Sequence, residues 1–317
     1  MKRRKLKKNI KIVLVLISFL VVAIILWTTT VKKEQEIAEA NAVSEKLEMD
    51  ARKVVEEERI EKEEVEERNA ITKARQTLID ETEALNTDRS GNVGLVLLNQ
   101  STDEQIEVNA GTTFTSASLY KLYVTYAILT EVDKGNLSLD TLINEQTAAT
   151  IDHYLRKTIT LSKNKTAIAL ANLLGWDVIE KFVQENGFSE TTFNTSNENG
   201  IAVRGPLQTT PGNVADLLNR LMDGTLLSKS STDYFMGLLA DQQLDYALST
   251  GLSDDVSFAH KTGILDSVSH DAGIITDSDG EEYIAVVMSD GWTNATEEAK
   301  PIFIETGQSI MDYLSAQ

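Results

Sequence analysis

The sequence predicts an α+β domain carried behind a membrane-spanning helix and a charged helical stalk. Three observations carry that prediction. An uncharged, mostly apolar stretch runs from Ile12 to Val31, directly after a basic segment. An acidic stretch without glycine or proline follows, over residues 34–69. Beyond it come two strand patterns, a long helical region, three strand patterns and a closing helical pattern. That order is the layout of an antiparallel sheet flanked by helices plus an all-helical lobe.

The charge distribution justifies the first element. The chain has 317 residues, 30 Lys+Arg against 49 Asp+Glu, a net charge of −19 and no cysteine. Residues 1–11 oppose that balance with seven positive charges and no acid. About 20 uncharged residues at 1.5 Å each span a hydrocarbon core of about 30 Å. The basic cap then stays in the cytoplasm, Trp27 lies at the outer interface, and everything from residue 32 onward is expected outside the cytoplasm. A cleaved leader is the competing reading. The apolar run is long for one, and no small-residue cleavage site follows Trp27 closely. An acidic chain lacks the clustered cations a nucleic-acid binder needs. Without cysteine there is no disulfide, thiolate metal site, cysteine nucleophile or cysteine-linked lipid.

Residues 32–70 form the expected stalk. Strong helix formers dominate 34–69, with 14 acids and 6 bases. A heptad seam runs through Ile37, Ala40, Leu47, Ala51, Val54 and Val65, but Ser44, Glu58 and Glu61 interrupt it. Self-association through the stalk and a solvated spacer about 54 Å long are the two readings. From residue 71 to 317 the composition becomes globular. Ile71 to Leu85 reads as an amphipathic helix, Val93 to Leu98 as a buried strand, and Gln105 to Val108 as its hairpin partner. A helical region from Ser118 to about Leu239 follows. Strands are expected at Val256–His260, Gly273–Thr276 and Tyr283–Met288, the last two joined by the turn Asp277-Ser278-Asp279-Gly280. A helix over Thr296–Leu314 closes the chain.

Within that frame, Ser118-Leu119-Tyr120-Lys121 starts an apolar helical run, so Lys121 lies one turn on, within reach of the hydroxyl. A serine hydroxyl becomes a nucleophile when a neighbouring base takes its proton, and a buried lysine can be that base. The pattern alone is weak, since Ser162-Lys163-Asn164-Lys165 repeats it. Two further stretches strengthen it: Ser162-Lys163-Asn164 before a helix, and Lys261-Thr262-Gly263 at the end of a strand. S-x-x-K, S-x-N and K-T-G in this order resemble the motif set of class A β-lactamases and penicillin-binding proteins. Phe114 four residues before the serine, Gly135-Asn136-Leu137-Ser138-Leu139-Asp140, Thr209-Thr210-Pro211 at a helix start and His270-Asp271-Ala272-Gly273 extend the resemblance over residues 71–317.

The resemblance implies a β-lactamase/transpeptidase-like fold and a role for each matching residue. Ser118 forms an acyl-enzyme, with Lys121 as base or part of the base relay. Ser162 passes a proton to the leaving nitrogen, and Asn164 holds the substrate's side-chain amide. Lys261 supplies positive potential, Thr262 and Gly263 belong to the substrate-binding strand with Thr262 on the substrate carboxylate, and backbone N–H groups of Ser118 and Ile264 form an oxyanion hole. Lys163 stands where the family usually has aspartate. The family's E-x-x-L-N motif is missing between Asn194 and Pro206, where Glu198 is the one acid and the candidate deacylating base. The expected substrates are β-lactams or D-Ala-D-Ala peptides, with no metal or cofactor. Hydrolysis of β-lactams, slow deacylation in a D,D-peptidase or penicillin sink, and a non-catalytic cell-wall-binding module are the alternatives. No G-x-S-x-G or H-E-x-x-H occurs to support another hydrolase.

Overall fold

The computed structural model describes residues 2–87, 91–198 and 201–317, leaving aside the side chains of 2–7, 197–198 and 201–203. The chain divides into two compact units, residues 1–68 and 69–317.

The first unit is helical and belongs to α1 (Lys2–Thr87). It holds a segment long and apolar enough to cross a membrane. Leu16, Phe19 and Trp27 present exposed apolar surface there. The acidic part is laced by pairs one turn apart: Arg59 bridges Glu56 and Glu63, and Lys62 faces Glu66.

The second unit takes in the end of α1 and then β1 (Val93–Asn99), β2 (Gln105–Val108), β3 (Phe114–Thr115), a 3-10 turn (Ala117–Leu119) and α2 (Tyr120–Asp133). A helical lobe follows, with β4 (Leu142–Asn144), β5 (Ala149–Thr150), α3 (Ile151–Thr160), α4 (Asn164–Leu174) and α5 (Trp176–Glu185). Next come β6 (Ser196–Glu198), β7 (Ile201–Val203), β8 (Gln208–Thr209), α6 (Pro211–Met222) and α7 (Lys229–Ala240). The chain then returns to the sheet as β9 (Ser257–Leu265), β10 (Val268–Thr276) and β11 (Glu282–Ser289), and closes with α8 (Ala295–Glu298) and α9 (Lys300–Leu314).

The main sheet is antiparallel in the order β2-β1-β11-β10-β9. Alternate residues divide between two cores. Val96, Leu98, Val286 and Met288 face the helical lobe, whereas Leu95, Leu97, Ala285 and Val287 pack with Leu78, Phe303 and Ile310. Burial on both faces explains why β1 reads as an unbroken apolar run. In α2, every residue from Tyr120 to Leu129 is buried, so this helix forms the axis of the lobe.

The expected architecture is thus present, with three differences of extent. Ser118 lies in the 3-10 turn that precedes α2 and not in α2 itself. The strand carrying Lys261-Thr262-Gly263 continues to Leu265, and β10 begins at Val268. Both extensions are rich in polar residues, which hid them from hydrophobic patterning. Finally, the helical region is punctuated by two-stranded pairs, including β3 with β8 and the hairpin β6–β7.

Candidate active site

The elements that converge here are the 3-10 turn, the start of α4, the edge strand β9 and the loop after β7. The 3-10 turn packs on β9 and β10. Ala117, just before the serine, has φ 45°. Gly263 makes the packing close: a Cβ there would lie 3.2 Å from the Ser118 nitrogen and 3.3 Å from the Ala117 Cβ. Beneath the turn, His270 is fully buried and its Nε2 donates to the Thr115 carbonyl at 2.7 Å, while Nδ1 accepts from the Ser289 N–H at 3.2 Å. Burial holds its pKa down to about 4, so it acts as a neutral strut under the site.

Lys121 is fully enclosed and gathers the other groups. Its Nζ lies 2.8 Å from Ser118 Oγ, 3.0 Å from Ser162 Oγ, 2.7 Å from the Ser162 carbonyl and 2.9 Å from Asn164 Oδ1. Ser162 has φ 52°, a left-handed conformation that turns both its hydroxyl and its carbonyl towards Lys121. Lys261, also fully enclosed, donates to Ser162 Oγ at 3.0 Å and to the Thr262 carbonyl at 2.8 Å. Ser162 Oγ therefore joins the two lysines. Burial lowers the Lys121 pKa to about 8. Burial, then repulsion by Lys121, lowers that of Lys261 to about 7, against the attraction of Asp271. Asp271 is itself enclosed, within 2.7 Å of His260 Nδ1 and accepting from the Leu248 N–H at 3.0 Å.

The serine opens into a cavity of about 300 Å³ lined by Thr115, Tyr120, Asn164, Arg204, Leu207 and Ile264, among others. Ser118, Asn164 and Ile264 thus line one space, with Lys121, Ser162 and Lys261 bonded together behind the serine and Gly263 close against its nitrogen. Because β9 is the edge of the sheet, one row of its backbone groups, near Ile264, has no strand partner. Thr262, to which the resemblance gives the substrate carboxylate, follows Lys261 on β9. It pairs across the sheet with Asp271 and is fully enclosed, because strand alternation sends its side chain to the face opposite Lys261. Glu198 ends β6, and its side chain lies outside the described residues.

Two further residues shape the site without any motif to mark them. Arg204 lies at the cavity, and Glu180 on α5 holds the loop that leads to it. The Glu180 carboxylate accepts the backbone N–H groups of Phe193 at 2.7 Å and Asn194 at 2.9 Å, together with the hydroxyls of Thr192 and Thr195. Burial pushes its pKa up, but those hydrogen bonds prevail and hold it below the ordinary carboxylate value. A lone glutamate on a helix gives no hint of such a role. Among the described residues no group of His, Asp or Glu is arranged to hold a metal ion.

Comparison with known proteins places this geometry. The model of the beta-lactamase enzyme family matches residues 72–314. Beta-lactamase VEB-1 of Pseudomonas aeruginosa is 24% identical over 179 residues, which span 48% of this chain and 60% of that protein. The match therefore covers less than two thirds of that relative's length. The TLA-1 extended spectrum beta-lactamase is 22% identical with a TM-score of 0.68, over 76% of this chain and 99% of that one. A PBP-A variant solved as an acyl-enzyme complex with penicillin G is 20% identical with a TM-score of 0.67, over 78% and 97%. A beta-lactamase from Chitinophaga pinensis is 21% identical with a TM-score of 0.66, over 77% and 100%. At these identities the structural likeness establishes the fold.

Proposed function

The chain belongs to the beta-lactamase enzyme family and is a class A β-lactamase-like serine hydrolase, and we propose that it opens β-lactam amides through an acyl-enzyme on Ser118. One observation carries this reading: the Ser118 hydroxyl lies 2.8 Å from a buried lysine amine that shares Ser162 with a second buried lysine. A neutral Lys121 accepts the Ser118 proton as Oγ attacks the carbonyl carbon. Charge develops on the carbonyl oxygen near the N–H groups of Ser118 and Ile264. The C–N bond then breaks, and the nitrogen takes a proton from the Ser162 hydroxyl, which is replenished from the lysine on either side. Water hydrolyses the ester and frees Ser118. Two desolvated lysines beside one serine serve a pure cell-wall-binding module poorly, because burying cations is costly unless they act.

A second reading is a slowly deacylating D,D-peptidase or penicillin-binding protein. It is favoured by the stretch from Asn194 to Pro206, which lacks the family's E-x-x-L-N motif. Labelled penicillin and a chromogenic cephalosporin separate the two. Rapid colour supports the hydrolase, and persistent label without colour supports the second reading. Under the first, Glu198→Gln slows colour release by at least about 100-fold if Glu198 is the deacylating base. An unchanged rate removes it from that role.

We also propose that the Ile12–Val31 segment anchors the protein, with the basic cap in the cytoplasm and the hydrolase unit outside. The charge asymmetry and the apolar helix support this reading.

A further inference from the structure

We propose that Arg204 makes the enzyme selective for acyl donors whose side chain carries a carboxylate, seated at the mouth of the Ser118 cavity. The inference rests on the reading of Ser118 as the acylating nucleophile and adds the class of substrate to it.

The cavity's charge is the first argument. Arg204 is the charged residue among the described lining residues, in a chain whose net charge is −19. With Lys121 neutral, as acylation requires, a protonated Lys261 beyond Ser162 still adds to the same sign. An anionic group entering this space meets attraction from rim and floor, whereas a cationic one meets repulsion.

The mounting of Arg204 is the second. Its guanidinium carbon lies 5.2 Å from the centre of the Trp176 ring. That ring is only 6% exposed, its Nε1 donates to Asn172 Oδ1 at 2.9 Å, and Tyr120 and Phe193 flank it at 5.9 and 5.6 Å between centroids. An aromatic platform orients a guanidinium without neutralising it, so its N–H fork remains available to a planar carboxylate. Arg204 is exposed and forms no ion pair with any described carboxylate.

The backbone is the third. Immediately after Arg204, the Gly205 N–H donates to the carbonyls of Phe193 at 2.8 Å and Asn194 at 3.0 Å, and Asn194 Nδ2 donates to the Pro206 carbonyl at 2.6 Å. A Cβ at Gly205 would come within 2.8 Å of the Asn194 carbonyl oxygen, so only glycine fits this clamp. Asn164 lines the same cavity, which places the amide of an acyl side chain and a group beyond it within one space that Arg204 borders.

The test compares two penicillins that differ by a single side-chain carboxylate, phenylmalonyl and phenylacetyl penicillin, on the full-length protein in detergent. Second-order acylation is followed by intact mass. The wild type should favour the dianionic compound by about five-fold, with the preference shrinking as salt is raised. Arg204→Gln should bring the ratio to about one, Arg204→Lys should leave an intermediate ratio, and Arg204→Glu should favour a penicillin bearing an ammonium side chain. A wild-type ratio near one, or a ratio that Arg204→Gln leaves unchanged, overturns the inference. Absence of both label and β-lactam hydrolysis with both compounds overturns the acylation reading itself, and this inference with it.

Discussion

Ser162 holds the junction of the site, with its hydroxyl 3.0 Å from each of the two lysine amines. Two cations this close and this buried do not both keep their protons easily, so the pair titrates together and its apparent pKa values belong to the pair. Burial brings both below the ordinary lysine value, to about 8 for Lys121 and about 7 for Lys261. Raising the pH removes a proton and creates the neutral amine that Ser118 needs. Acylation by penicillin should therefore rise with pH through about 7–8 and level off above. Lys261→Met removes the repulsion and should move that limb to higher pH, while Lys121→Met should slow acylation by roughly 10²–10⁴-fold. A pH-independent rate in the wild type contradicts the lysine assignment. These residues were legible in the sequence because a three-residue spacing survives any detail of helix type. The full enclosure of Thr262 was not, since it depends on what packs against each face of β9.

At the scale of elements, the loop between α5 and β8 is fastened from behind. Glu180 receives three backbone N–H groups and two hydroxyls from residues 192–195, the stretch against which Gly205 also folds. Glu180→Gln removes charge-assisted acceptance and should cost about 1–3 kcal/mol, visible as a lowered unfolding midpoint. It should also diminish the acylation preference assigned to Arg204. An unchanged midpoint and preference would show that the loop holds itself. Neither Glu180 nor Arg204 could be read from the sequence, because each depends on the path of a loop that periodicity does not describe. The helix α6 was readable, because its start carries local signals. Thr210, for instance, accepts the Asn213 N–H at 3.0 Å with Pro211 in the first turn.

For the whole molecule, a net charge of −19 conceals a division of labour. Residues 1–11 are basic, 12–31 neutral, and 34–69 strongly acidic, while Arg204, Lys121 and Lys261 gather at the Ser118 cavity. With the proposed anchor, the full-length protein should sediment with membranes and resist extraction by high salt. A protease added to intact spheroplasts should remove the hydrolase unit. A protein released by salt, or protected in intact spheroplasts, contradicts the anchor or its orientation. The order of strands and helices could be anticipated because the sheet is buried on both faces and its strands are apolar. The small two-stranded pairs escaped because two or three residues carry no pattern.

The most direct test of the central claim is intact mass spectrometry of the full-length protein within seconds of mixing with penicillin G. The wild type should gain the mass of one penicillin, with the modified peptide containing Ser118, and Ser118→Ala should gain none. Label that persists in Ser118→Ala, or a folded wild type that neither takes up label nor hydrolyses the penicillin, contradicts the account.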